Sequence, residues 1–400
     1  MKLAIVTAYP PSKVTLNEYA YHLVKHFRQK EDVTELVLLT DKTYEHKDVV
    51  FTEDGCQITI EECWEFNSYS TILNVTNAIS RVNPDAVLFN LQFMKFGDKK
   101  VAAALGLMLP LVCKLKKIPS IVLLHNILEE VDLGSAGFTK NKVMQKVYGF
   151  IGSSLTRLIL QADTVAVTMQ KYVDILEKKY NAKNVKLIPH GTFEIPEKPD
   201  FNVPVGPMQI MTFGKFGTYK KVEGMIEAVE KVRESTGLDL EVVIAGTDNP
   251  NVPGYLAKVQ EDYKHVPQVR FTGYVEEKEV PKLFNDSAVV VFPYTSTTGS
   301  SGVLHQAGSY GKAVVMPDLG DLTSLIQDEG YRGEFFEPTS VDSLAKAIEN
   351  IVTNKIYRRE LGKANYQAAT GYPMSEITEI YLNTFKKIME IPSRAVMLIV

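Results

Sequence analysis

Cysteine is scarce. Only Cys56, Cys63 and Cys113 occur in 400 residues, and their spacing matches neither a zinc-ligand pattern nor a disulfide framework, which excludes a cysteine-built scaffold and fits a reducing cytoplasm. Long apolar runs are missing as well. The longest, Val101 to Cys113, is interrupted by Gly106 and Pro110 and falls short of the ~20 residues that span a bilayer. The N-terminal MKLAIVTAYPP carries an apolar stretch of only about five residues before Tyr9-Pro10-Pro11, too short for a signal-peptide core, and reads as a first buried strand. Charge of one sign is not in excess: 44 basic against 48 acidic side chains leave a net charge of −4, which argues against a nucleic-acid partner at the level of the whole chain. Low-complexity tracts and short-period repeats are absent too.

What is present is an ordinary globular composition, 45% hydrophobic and 23% charged, so the chain is expected to fold throughout. Its length exceeds what one hydrophobic core usually serves and implies two domains. Short apolar or β-branched runs alternate with longer amphipathic stretches, the grammar of parallel strands joined by crossover helices. A first series of strands is expected at 3–7, 35–39, 86–90, 120–124, 164–168 and 185–188. A second is expected at 210–213, 241–245, 269–272, 288–292 and 313–316. Between them, residues 194–207 carry Pro196, Pro199, Pro204 and Pro207 with little periodicity, as a linker would. The expectation is an α/β protein of two Rossmann-like domains, residues 1–196 and 205–372. A final helix over 375–390, redirected by Gly371-Tyr372-Pro373, is expected to pack back on the first.

Two segments carry recognisable chemistry. In FGKFGTYKKVEGMIEAVEKV, residues 213–232, a strand is expected to end at Gly214-Lys215 and Lys220-Lys221 to open a helix. Lysines at a strand end and a helix start can converge on one anion, such as a diphosphate, with the helix dipole adding to their field. The bland alternative is that both are solvated loop residues. In the second segment, Gly299-Ser300-Ser301-Gly302 stands between a strand and a helix, where backbone N–H groups make an anion cradle or simply a turn.

Residues 205–390 resemble the donor domain of the family 4 retaining glycosyltransferases. The blocks that carry the resemblance are Gly214-Lys215-Phe216, Lys220, Ala245-Gly246, Val269-Arg270-Phe271-Thr272-Gly273, Gln306-Ala307 with Gly311-Lys312-Ala313-Val314-Val315, and Asp318-Leu319-Gly320-Asp321. In the first half the likeness is looser, through Tyr9-Pro10-Pro11, Val82 to Val87, Ile121 to His125 and Ile188-Pro189-His190-Gly191. The resemblance implies a GT-B architecture, with two Rossmann-like domains facing across a cleft. It implies transfer of a hexose from a nucleoside diphosphate sugar to a hydroxyl, with retention and with no protein nucleophile. It assigns catalytic positions to His125, Lys215 and Lys220. Donor-binding positions fall on Gly214, His190, Thr298, Gly299, Ser300, Ser301, Gly302 and Gln306. The family's two glutamates, eight residues apart, fall on Thr298 and Gln306. An amide can still bond a ribose hydroxyl, without the strength of a charge-assisted bond, and the donor-motif arginine is Lys215, which keeps the charge and loses the bidentate fork.

A lone histidine after a strand is usually structural, but His125 ends an apolar run at the position where open α/β sheets bind ligands. For His190 the binding and structural readings are evenly matched; for His305, packing is favoured over nucleotide contact. Asp318 and Asp321 have no further carboxylates at ligand spacing, so no metal and no cofactor beyond the sugar nucleotide are expected, the diphosphate being met by lysines and a helix end. The segment from Lys95 to Lys117 has lysines around an apolar run, either a surface for an anionic membrane or a buried helix with solvated lysine ends, the expected reading. The partners expected are a nucleotide sugar and a carbohydrate or lipid-linked acceptor. Loss of both glutamates leaves a non-catalytic donor-binding partner of another transferase as an alternative, and a sugar-nucleotide epimerase as a further one.

Overall fold

The computed structural model describes residues 1–390 apart from 13, 44–50, 52, 128–141, 198, 250 and 297–299, and gives the backbone alone for 142–148. The chain divides into two compact units, Met1–His190 with the segment from Met374 onward, and Gly191–Pro373.

The first unit runs β1 (Lys2–Val6), α1 (Asn17–Phe27), β2 (Glu35–Asp41), β3 (Gln57–Trp64), α2 (Thr71–Val82), β4 (Ala86–Leu91), α3 (Lys100–Leu107), α4 (Leu109–Leu115), β5 (Ser120–Leu124), α5 (Lys142–Ile159), β6 (Thr164–Val167), α6 (Gln170–Tyr180) and β7 (Val185–Leu187). Its strands form one sheet in the order β3-β2-β1-β4-β5-β6-β7, and every ladder is parallel. Strands such as KLAIV and SIVLL are apolar after their first residue because helices cover both faces of a parallel sheet, and those apolar residues are buried accordingly. The ladders keep Val6 opposite Leu39 and Phe89, and Leu91 opposite Leu124. Thr7, Asp41, Asn90 and His125 therefore collect at one carboxyl edge, where the strand order reverses between β1 and β4.

The apolar positions of the first helix, Tyr19, Ala20, Leu23, Val24 and Phe27, are all buried, as their i, i+3, i+4 spacing requires. The run Val101 to Cys113 is not one helix: α3 stops at Leu107 and α4 starts at Leu109 with Pro110 in its first turn, the one helical place that tolerates a missing N–H. Lys95, expected among the solvated lysines, is fully buried. It ties down a loop instead of facing water.

The second unit runs β8 (Met208–Phe216), α7 (Glu223–Thr236), β9 (Leu240–Asp248), α8 (Tyr255–Asp262), β10 (Val269–Gly273), α9 (Val280–Asp286), β11 (Ser287–Val291), α10 (Gly302–Ser309), β12 (Ala313–Pro317), α11 (Gly320–Glu329), β13 (Glu334–Phe336), α12 (Val341–Val352) and α13 (Lys355–Thr370). The sheet order is β10-β9-β8-β11-β12-β13, again all parallel. Its switch point lies between β8 and β11. Here β8 does not end at Phe213 but continues to Phe216, with Gly214 paired to Gly246 and Lys215 to Thr247. Glycine is required at that pairing: Gly246 has φ 137°, and a Cβ on it would stand 1.8 Å from the carbonyl oxygen of Gly214. The proline-rich segment packs on its own unit, with the Tyr366 hydroxyl donating to the Pro196 carbonyl at 2.7 Å and the Phe201 and Tyr366 rings 6.2 Å apart.

The last helix, α14 (Met374–Met389), belongs to the first unit. Its buried face includes Ile377, Tyr381, Leu382 and Phe385, and the aliphatic and phenyl side chains among them each stabilise the unit by about 1.5–3 kcal/mol through burial. Tyr381 meets Phe27 at 6.3 Å, and Lys386 pairs with Asp32 at 2.6 Å.

Candidate active-site clusters

Two polar clusters form, one at the switch point of each sheet. In the second unit, the turn after β8 folds back on the segment after β11. The Lys221 N–H donates to Pro293 (3.0 Å), the Thr295 N–H donates to Tyr219 (2.8 Å), and Lys220 bridges Tyr294. This places the Lys220 ammonium against Gly214, where a Cβ would come within 2.7 Å of it, and 4.7 Å from the centroid of the buried Tyr294 ring. Tyr219 lies on another side at 5.8 Å. Among the described residues no carboxylate reaches this ammonium, and burial pulls it below the usual lysine range, with Tyr219 opposing. A desolvated cation backed only by aromatic faces is poised for an anion.

Burial raises the Tyr294 hydroxyl well above its usual range, and the Ser301 side chain beside it offsets part of that rise. Ser301 is the N-cap of α10, its Oγ accepting from the Leu304 N–H at 3.4 Å, and Gly302 is the first helical residue. The positive end of α10 thus stands beside the tyrosine that backs Lys220. Lys215, expected at the strand's end, lies within β8, one residue short of its last, with its side chain exposed. Lys220 is not at a helix start, because α7 begins only at Glu223; it gains its place from the bridge to Tyr294, so its field adds to the dipole of α10 rather than that of α7. Gln306 is half-buried on α10. Thr298 and Gly299 lie outside the described residues. Tyr294 was missed as a functional residue, although it stands in the Phe292-Pro293-Tyr294 stretch, because an aromatic after a strand reads as core.

In the first unit, His125 follows β5 and meets Asn90 at the end of β4. The Asn90 amide nitrogen donates to Thr7 Oγ1 (3.0 Å) and to the Leu16 carbonyl (3.4 Å), so its oxygen faces His125 and accepts from Nε2–H at 2.7 Å. Dehydration first, then His190 and Lys95, hold His125 well below the usual histidine range. The imidazole is thus neutral at physiological pH. Tyr19 stands edge-on to both His125 (4.6 Å) and His190 (4.7 Å) and donates its hydroxyl to the His190 carbonyl at 2.8 Å. The structure thus groups His125 with His190 in the first unit, and Gly214 and Lys220 with Ser301 and Gly302 in the second. Beside the histidines, Lys95 Nζ donates to the Thr15 carbonyl at 2.7 Å and the Ser12 hydroxyl donates to Asp41 at 2.6 Å, pinning the loop after β1.

Asp318 accepts from Thr323 at 3.2 Å, and Asp321 is buried in the first turn of α11 rather than lying in an open turn. Among the described residues no group of three or more His, Cys, Asp and Glu side chains is placed to hold a metal ion, and no helix is long and apolar enough to cross a membrane.

Residues 194–368 match the family model for glycosyl transferases group 1. No curated protein matches the chain. Among solved structures, sucrose-phosphate synthase from Thermosynechococcus elongatus is similar over 97% of this chain and 99% of its own, with TM-score 0.71 at 15% identity. Anabaena HepE, solved with UDP-glucose, covers 97% of this chain and 100% of its own, with TM-score 0.68 at 14% identity. A glycosyltransferase from Rickettsia africae covers 97% and 98%, with TM-score 0.64 at 15% identity. The chain has the GT-B fold of glycosyltransferases, and its second unit carries the stretch similar to glycosyl transferases group 1.

Proposed function

We propose that the protein transfers a hexose from a nucleoside diphosphate sugar to a hydroxyl of a carbohydrate or lipid-linked acceptor, with retention at the anomeric carbon and without an obligatory metal. The observation that carries this reading is the Lys220 ammonium, dehydrated and, among the described residues, reached by no carboxylate, seated against Gly214 and the Tyr294 ring, with Ser301 at the start of α10 beside that tyrosine. As the glycosidic bond breaks, charge grows on the leaving diphosphate. Lys220, Lys215 and the backbone of Gly299 to Gly302, with the dipole of α10, stabilise it more in the transition state than in the ground state. Ser300 and Ser301, with Thr298 just before them in the sequence, are read as donor-binding, Gln306 offers its amide to the ribose, and His190 is read as a donor-binding residue as well. His125, held neutral with one nitrogen committed to Asn90, orients the sugar beside the breaking bond. The exposed Lys99, Lys100, Lys116 and Lys117 with Val101 and Leu115 suit peripheral contact with an anionic membrane.

UDP-glucose, present in the HepE structure, is the first donor to test. The wild-type chain incubated with it and water alone is expected to release UDP and glucose slowly, and proton NMR is expected to show the α-anomer first. A first-formed β-anomer would overturn retention. UDP-glucose left intact, although bound, would favour a non-catalytic donor-binding partner, the reading supported by Thr298 and Gln306 in place of both glutamates.

A further inference from the structure

Surface helices usually turn polar residues outward, and the helices that follow β4 and β5 do not. Between Lys100 and Lys114 no polar or charged side chain occurs, so α3 and α4 are apolar on both faces. Their inner positions are buried. The stripe Val101, Leu105, Met108, Val112 and Leu115 faces outward, half-exposed in its middle and 59% and 57% exposed at its two ends. α5 packs against both helices, and Lys114 Nζ donates to Gln161, just beyond the end of α5, at 2.9 Å. The crossovers from β4 to β5 and from β5 to β6 run the same way along the sheet, which puts these helices on one side of it. There α5 turns Phe150 and Ile151 outward, 75% and 40% exposed.

Charge on this face has one sign. α3, α4 and α5 contain no aspartate or glutamate, in a chain with 48 acidic residues. Lys99 and Lys100 stand at one end of the stripe, Lys114, Lys116 and Lys117 at the other, and Arg157 on α5. An exposed apolar surface of this extent marks a contact. Pairing with a second copy about a twofold axis would set lysine rims against each other. An anionic bilayer suits both parts, taking the apolar side chains below its headgroups and the lysines among them. Moreover, α3 and α5 set out from the carboxyl edge of the sheet, where Asn90 and His125 meet at 2.7 Å, so the face starts at the first polar cluster.

We propose that the outer face of α3, α4 and α5 enters an anionic bilayer, with Phe150 and Ile151 below the headgroups, and that the acceptor hydroxyl is carried by a membrane lipid and not by a soluble carbohydrate. The docking half stands on the surface alone. The acceptor half rests on the transferase reading.

Two measurements on the full chain test it. The protein is expected to float with vesicles of phosphatidylcholine and phosphatidylglycerol, not with phosphatidylcholine alone, and to do so less as salt is raised. Phe150→Ser, and Lys116→Gln combined with Lys117→Gln, are each expected to weaken flotation roughly tenfold, with the thermal midpoint unchanged because these side chains are exposed. Equal flotation on both vesicles, none on either, or flotation indifferent to these substitutions overturns the docking face. So does a wild-type dimer that Phe150→Ser converts to a monomer, which would assign the face to a second copy. Given radiolabelled UDP-glucose and membranes of its source cells, the wild type is expected to label chloroform-extractable lipid. Phe150→Ser is expected to label it roughly tenfold less while hydrolysing UDP-glucose in water alone at the wild-type rate. Label confined to water-soluble saccharides, or lost in step with the water reaction, overturns the lipid acceptor. UDP-glucose left intact by a wild type that still floats overturns the transferase reading and leaves the docking face standing.

Discussion

Lys220 carries the largest single expectation at the level of one side chain. A positioned cation at a developing diphosphate contributes a few kcal/mol, so Lys220→Ala is expected to lower turnover by at least about a hundredfold. The thermal midpoint should hold, since among the described residues its ammonium makes no ion pair. Near-normal turnover in that variant would return the lysine to the solvated class. Gln306 tests the other half of the donor site. If its amide meets the ribose, Gln306→Glu is expected to tighten nucleoside diphosphate binding roughly fivefold, as a charged acceptor replaces a neutral one. A calorimetric titration giving the same affinity for both forms would remove Gln306 from the nucleotide. That His125 directly follows a strand and that Ser301 directly precedes a helix was legible from sequence. Their partners were not. Asn90 closes an apolar strand, Tyr294 reads as core, and Tyr19 falls on the buried face of a helix. Each acquires a role only from a contact distant in the chain.

Elements explain where sequence reading stopped short. The edge strand β3 was not foreseen because its segment alternates, with an exposed and half-exposed first half, while parallel strands are recognised by continuous apolar runs. β13 is only three residues long and leaves too little pattern. The extension of β8 through Gly214 and Lys215 depends on the close approach to Gly246, a tertiary fact. Lys95 illustrates the same point in the loop after β4: among lysines it looked solvated, yet burial pushes it down to about 7, with Asp41 opposing. A lysine whose folded value lies below its unfolded value of 10.5 binds fewer protons when folded between those limits. It therefore costs stability near pH 7, and that cost fades as pH rises. Relative to Lys95→Met, the wild type is expected to gain roughly 3 kcal/mol between pH 7 and 9.5 in urea unfolding. A difference that stays flat with pH would show that Lys95 is charged and satisfied throughout.

The alternation of strands and helices made two parallel-sheet α/β units legible, because such sheets oblige apolar strands separated by amphipathic crossovers. The sheet orders place a switch point in each unit, and each polar cluster sits there. The acceptor was not legible, since nothing in the first unit's edge, Thr7, Asn90, His125 and the loop held by Lys95, names a single hydroxyl compound. At this scale the account also expects activity to survive exhaustive chelation, because lysine and helix-end charges face the diphosphate. Loss with EDTA, restored by magnesium or manganese, would point first to Asp318 and Asp321.

The central claim is that the second unit binds a nucleoside diphosphate at Lys220. The most direct measurement is calorimetric titration of UDP into the wild-type chain and into Lys220→Ala, each at its own unchanged thermal midpoint. The account predicts saturable binding by the wild type and a loss of at least about tenfold in the variant. Equal affinity in both proteins would contradict it.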